Sequence, residues 1–303
     1  MNRPAKKLLL TMLLFLAGFS SFSADLAFYL SPRYSFRNST SKESLYYGGT
    51  FGSDPSQLAS LLVWNEKAVM TYGLDLKAEL TASPKTAFIF SALADFTIPY
   101  NSAWMSDSDW TTSGIKFNYS KFDCTIANDS LSDRLKNFSF RTSFACKKSL
   151  GTFIDLIPGT GFFYSSAYYK AKNGYGWYGS SSWTSDGKTH EWNSSYSHYF
   201  PDGKYHLAGI NYYVRTAAFF TGLTLQKNIG PFYTIHAGFN LYPFTFVLAK
   251  DRHLGSKDYY DFADYLYNYF KSWDFSAGIS ARLSSSLSLN LNFNYYTFLN
   301  TRA

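Results

Sequence analysis

The sequence predicts an all-β chain folded as an antiparallel, up-and-down transmembrane β-barrel, and three observations predict it. Leu287, Leu289, Leu291, Phe293 and Tyr295 alternate with Ser288, Asn290, Asn292, Asn294 and Tyr296, which gives a strand one apolar and one mostly polar face. Segments of the same kind, 10–20 residues long, recur near 68–81, 84–98, 135–148, 151–172, 205–226 and 231–249, lengths that suit tilted strands crossing a bilayer. Aromatic residues make up 20% of the chain while mean hydropathy is -0.19. In a membrane barrel lipid-facing apolar residues cancel against lumen-facing polar ones, and aromatics gather at the two interfaces. A soluble sandwich or barrel shows the alternation too, but rarely over strands so long.

From the N-terminus, residues 1–23 read as a secretory signal. Arg3, Lys6 and Lys7 precede an apolar run from Leu8 to Phe19 and the small residues Ser20, Ser21, Ser23 and Ala24, the layout of an exported leader. Residues 24–303 then form one outer-membrane barrel domain. No later segment approaches the roughly 18 continuous apolar residues of a membrane helix, so strands must do the crossing. Nine are legible, at about 27–47, 59–80, 84–104, 134–148, 151–172, 205–226, 231–250, 265–283 and 286–299. Tight turns are expected at 81–85, 148–151, 227–230 and 283–286, on the periplasmic side. The connections near 48–58, 105–133, 173–204 and 251–267 are rich in Ser, Gly, Asn, Asp and Trp, as extracellular loops are.

The formal net charge is +7, with three of the cations in the leader, too little to argue for nucleic acid. Cys124 and Cys146 are the only cysteines; an exported pair permits a disulfide, and two free thiols fit the spacing equally. The five histidines lack close His/Cys spacing, so no metal or other cofactor is expected. His236 shares its parity with Thr234 and Asn240 and reads as a structural lumen residue.

Two acidic clusters remain, Asp107-Ser108-Asp109-Trp110 and Asp251-Arg252-His253, each where a long alternating segment gives way to polar sequence. In an extended backbone residues i and i+2 share a face, so each pair can enter a groove from its own wall. Two close carboxylates resist joint ionisation, and a carboxylate beside a histidine raises its basicity and fixes its tautomer. Such a set can activate water against an amide: Asp107 and His253 hold the water, His253 takes its proton, Asp251 orients His253, and Asp109 assists Asp107. The alternative reading is of solvated loop acids on a noncatalytic barrel, an adhesin or a porin-like structural protein.

With both motifs at the rim of correctly counted strands, the chain resembles the omptin family of outer-membrane aspartyl-type endopeptidases. Their pattern carries Asp-x-Asp-Trp after the third strand and Asp-x-His after the seventh. Lys42-Glu43, Tyr46, Arg215 and Gly222-Leu223-Thr224 match as well. The resemblance implies catalytic roles for Asp107, Asp109, Asp251 and His253, peptide or protein substrates, and cleavage near basic residues. Glu43 matches an acid that receives the substrate cation, while the second such acid falls on Ala249. A cation pocket short of one carboxylate implies a relaxed preference, with Asp123 as the candidate supplement.

Of the family's lipid-contacting positions Arg215 is retained, and Phe162 to Ser166 stands in place of a Tyr-x-Glu-x-Arg segment. A single cation clamps a phosphorylated lipid poorly, which predicts weak or absent lipopolysaccharide dependence. The family also implies a tenth, closing strand; none is legible before Ala303, which leaves a truncated or frameshifted frame, the favoured expectation, against a miscounted strand or a gap closed by another chain.

Overall fold

A computed structural model describes residues 25–47, 58–126, 136–151, 154–200, 210–253, 260–284 and 287–298; the leader, and most of the 48–58 connection, lie outside them. The chain forms strands β1 (Asp25–Tyr46), β2 (Leu58–Ser83), β3 (Thr86–Thr97), β4 (Tyr100–Trp110), β5 (Lys116–Ile126), β6 (Phe138–Leu150), β7 (Ile154–Tyr178), β8 (His198–Tyr199), β9 (Ile210–Ile229), β10 (Tyr233–His253), β11 (Tyr260–Asn268), β12 (Ser272–Arg282) and β13 (Ser288–Thr297). All pair antiparallel in one sheet. On the lower level the ladder runs β1–β2–β3–β6–β7–β9–β10–β12–β13, and on the upper level β2 pairs β4, β4 pairs β5, β5 pairs β7, and β10 pairs β11. β3 with β4, β5 with β6, and β11 with β12 are therefore lower and upper parts of single passes, and the nine legible strands are the nine passes. Among the described residues β1 and β13 each pair on one side only, and they run in the same sense.

The upper level corrects the sequence reading. Residues 116–126 and 260–264, expected in loops, are in strands, and β7 runs on to Tyr178. Beyond the membrane the outward face meets water, so the apolar alternation that reveals a lipid-facing strand is absent there.

Outward side chains divide the strands. Leu287, Leu289, Leu291, Phe293 and Tyr295 are all exposed, and this run covers about 26 Å at ~3.3 Å per residue, the height of a lipid-facing band. The band ends at a course of rings: Tyr72 lies 5.8 Å from Phe96, Phe96 6.3 Å from Phe138, Phe138 5.5 Å from Tyr164, and Trp273 5.5 Å from Tyr295. Aromatic girdles take this place because one end of each ring system tolerates water. Portions of strand below the rings cross the membrane; portions above project past it. Among the described residues no helix is long and apolar enough to cross a membrane.

The interior reverses the outside. At membrane level it is polar and paired: Arg33 meets Asp95 at 3.5 Å, Lys77 and Lys147 both meet Glu79, and Arg141 reaches Asp274 at 3.1 Å across the barrel from β6 to β12. A Cβ at Gly73 would sit 2.2 Å from the Ala94 carbonyl oxygen, so only glycine lets β2 and β3 close beside the Arg33–Asp95 pair. Above the girdle the interior is apolar, with Leu62, Trp64, Met105, Phe122, Tyr169 and Tyr212 buried in one cluster. Trp64 stacks on Tyr212 at 4.8 Å and leans on Tyr169 at 5.6 Å. The Tyr169 hydroxyl donates to Glu66 at 2.7 Å, and Glu66 also takes two hydrogen bonds from Arg37, at 2.8 and 2.9 Å.

This stack joins β2 to β9, which share no ladder, and so lays a floor across the barrel. A pore needs a continuous wet path, and buried stacked rings deny one. Purified protein in planar bilayers is expected to give no channel steps; steady ohmic conductance would restore the porin reading.

Candidate active site

Above the floor stand two acidic walls, whose bases the Trp64–Tyr212 stack joins. On the first, Asp107 of β4 is buried and lies between Leu62 of β2 and Ser120 of β5 in the sheet register. Its Oδ2 accepts a hydrogen bond from the Tyr178 hydroxyl at 3.1 Å, and that hydroxyl is 2.8 Å from Ser120 Oγ. Asp109, two residues on, accepts from Asn118 Nδ2 at 2.9 Å. Both acids share a face with Met105 in the core, as a two-residue period requires.

Both carboxylates lie within β4, paired on either side, rather than in a loop beyond a strand end. Lys116 stands nearby with its ammonium 4.3 Å from the Tyr119 ring centre and 5.5 Å from those of Trp110 and Trp192. Burial pulls the Lys116 ammonium down, against the field of Asp107 and Asp109.

Tyr178 reaches this wall because β7 carries a bulge. Below it Tyr169 and Ala171 face inward; at Asn173, whose φ is 55°, the register slips, and Gly176 and Tyr178 take the inward face instead. One extra residue reverses the parity of everything that follows. A Cβ on Gly176 would lie 2.5 Å from Ser120 Cα, so glycine is what allows β7 to approach Ser120 here.

On the second wall Asp251 of β10 is buried, opposite Tyr212 of β9 and Phe262 of β11. His253 ends β10, opposite Ile210 and Tyr260 in register; the expected pairing of its ring lies outside the described side chains. Glu43 of β1 shares a hydrogen bond with Asp264 of β11, and burial, with Asp251 close by, pushes the Asp264 carboxyl up. Burial and the charges of Glu43, Asp251 and Asp264 together raise the Tyr212 phenol, which keeps it protonated between the floor and the acids.

Asp264 alters the expectation at Ala249. These two residues are direct cross-strand partners, so the adjacent strand places a carboxylate beside Ala249, close enough to bond Glu43. Nothing in the local sequence marks Asp264, because the match depends on register.

Asp123 is a correction of the opposite kind. Phe122 and Cys124 take the inward positions of β5, and Asp123 is exposed on the outer wall, where it accepts from Asn173 Nδ2 at 3.1 Å. It lines no groove. Cys124 and Cys146 are both free, and burial raises the Cys124 thiol.

Arg215 is on the outer wall as expected, and it is not isolated. Its guanidinium lies 4.6 Å from the Tyr213 ring centre, Tyr213 packs edge-on against Tyr168 at 6.3 Å, and Lys136 Nζ lies 4.5 Å from the Tyr168 ring centre. Lys170 is 5.7 Å from the same ring, and Lys250, opposite Tyr213 in register, is exposed beside it. Four cations thus share one face just above the girdle, brought together from β7, β9, β10 and the approach to β6.

No family model matches the sequence, and no curated protein matches it. Among solved structures the chain is similar to the crystal structure of the outer membrane protease OmpT from Escherichia coli, with a TM-score of 0.54 and 16% sequence identity, over 90% of this chain and 93% of that one. The likeness establishes the fold: an antiparallel barrel of the kind that protease uses.

Proposed function

We propose that this chain is an omptin-like endopeptidase of the outer membrane, which hydrolyses peptide bonds near basic residues in a groove open to the extracellular side. One observation carries the reading. Trp64, the register partner of Met105 two residues before Asp107, stacks on Tyr212, the register partner of Asp251. The floor therefore ties together the bases of the two acidic walls, which a noncatalytic barrel has no chemical reason to line with carboxylates.

In this reading a water is held between Asp107 and His253 and loses its proton to His253 as it attacks the peptide carbonyl; the imidazolium then returns that proton to the amide nitrogen as the C–N bond breaks, releasing the amine and the carboxylic acid. Asp251 orients His253 and stabilises the imidazolium, and Asp109, braced by Asn118, keeps the wall negative beside Asp107. No acyl-enzyme forms. Refolded protein given fluorogenic peptides with one or two Arg residues tests the reading directly; intact peptide after long incubation would leave a noncatalytic barrel.

Glu43 and Asp264 form the receiver for the substrate cation, since a guanidinium can bond two carboxylates at once. For the lipid partner, the cations around Arg215 replace the expectation of a single weak contact: several cations on one wall hold phosphate groups far better than one. Phosphorylated outer-leaflet lipid is expected to raise the activity of refolded protein, and charge reversal at Lys170 with Arg215 to remove the gain. An equal gain in the reversed protein would refute this assignment.

A further inference from the structure

We propose that Tyr178 is a positioning residue for the hydrolysis, one that fixes the Asp107 carboxylate through its hydroxyl. The inference rests on the catalytic reading of Asp107 and goes beyond it. The Tyr178 hydroxyl has one proton, directed to Asp107 Oδ2 at 3.1 Å. Ser120 Oγ, 2.8 Å away and fully buried, then donates to the same phenol oxygen. The chain from Ser120 through Tyr178 to Asp107 fixes one carboxylate oxygen, Oδ2, on the buried side of the wall. Burial and the nearby Asp107 raise the phenol well above its usual range, so it remains a donor at any working pH.

The ring itself is held. Trp183 and Phe200, from the segment that follows β7, pack 5.8 and 5.4 Å from the Tyr178 ring centre. That segment is tied back to the strands by main-chain bonds, Gly179 N to the Phe117 carbonyl at 2.9 Å and Phe200 N to the Gly174 carbonyl at 2.8 Å. A phenol locked by neighbours and by a second hydroxyl is a preorganised donor, whereas an exposed tyrosine would lose its orientation to solvent.

Among the described side chains, the titratable groups near Asp107 are Asp109 on its own strand, Lys116 from β5 and Tyr178 from β7; Leu62 and Ser60 of β2, the register partners of Asp107 and Asp109, carry no charge, and His253, which the proposed mechanism sets across the water, lies outside them. Removing the donor destabilises the ionised carboxylate and raises the pH at which it takes a proton; because Asp107 and His253 hold the water together, the acid limb reports the pair and moves with either member. Tyr178→Phe is therefore expected to lower kcat about ten- to hundredfold, to leave KM for an Arg peptide unchanged, and to move the acid limb of the kcat profile upward. Ser120→Ala should move both in the same direction and less far, and provides the test should the Phe variant fail to fold.

Asp107→Ala separates the two claims: an active Asp107→Ala protein overturns the catalytic reading itself. If Asp107→Ala is inactive while Tyr178→Phe keeps its kcat and acid limb, only the positioning role is overturned. A drop in kcat with an unmoved acid limb, or a loss confined to KM, overturns it too.

Discussion

Cleavage of an Arg-containing peptide by the Asp107→Ala protein is expected to fall about a hundred- to ten-thousandfold, while the barrel still shows a heat-dependent shift in electrophoretic migration. Loss of a general base or its water-positioning partner costs on the order of 10²–10⁴ in rate, and here the same change removes the acceptor of Tyr178. His253→Ala should fall as far. Folding should survive, because Asp107 belongs to the upper level, above the girdle and clear of the ion pairs that fill the membrane portion. Wild-type cleavage by either variant would end the proposed chemistry.

Replacing Asp264 by Asn together with Glu43 by Gln is expected to lower kcat/KM for Arg peptides about a hundredfold against that for matched neutral peptides. Each charge-assisted hydrogen bond to a guanidinium is worth about 1.5–3 kcal/mol, and the exposed part of the pocket keeps the sum toward the lower end. The pH sign follows from the raised Asp264 carboxyl. Below the raised value the group carries its proton and the pocket lacks a charge; as pH rises through it the charge is completed. KM for Arg peptides should therefore fall with rising pH in the parent and stay flat in the double variant. An unchanged ratio of Arg to neutral cleavage would remove Asp264 from recognition and return the specificity to Glu43 alone.

Lipid-facing strands were legible because their two faces meet different solvents, and alternation such as Leu287 to Tyr296 records that difference residue by residue. The motif pairs Asp107 with Asp109 and Asp251 with His253 were legible for a related reason: residues two apart share a face wherever the backbone is extended. Strands β5 and β11 were hidden, since their outward sides meet water and their inward sides mix Asn118 and Ser120 with Phe122 and Cys124. Asp123 was misplaced by the same gap, because its face is decided by which neighbours turn inward.

By itself the sequence determined the passes, their faces below the girdle, the turns and the two acidic motifs, all of which depend on residues near one another along the chain. Only the tertiary structure decided that Asp264 stands opposite Ala249, that Lys136, Lys170 and Lys250 gather about Arg215, and that Tyr178 turns toward Asp107. The reason is register. Cross-strand neighbours are set by where ladders slip, and a single bulged residue such as Asn173 exchanges the inner and outer faces of all that follows it.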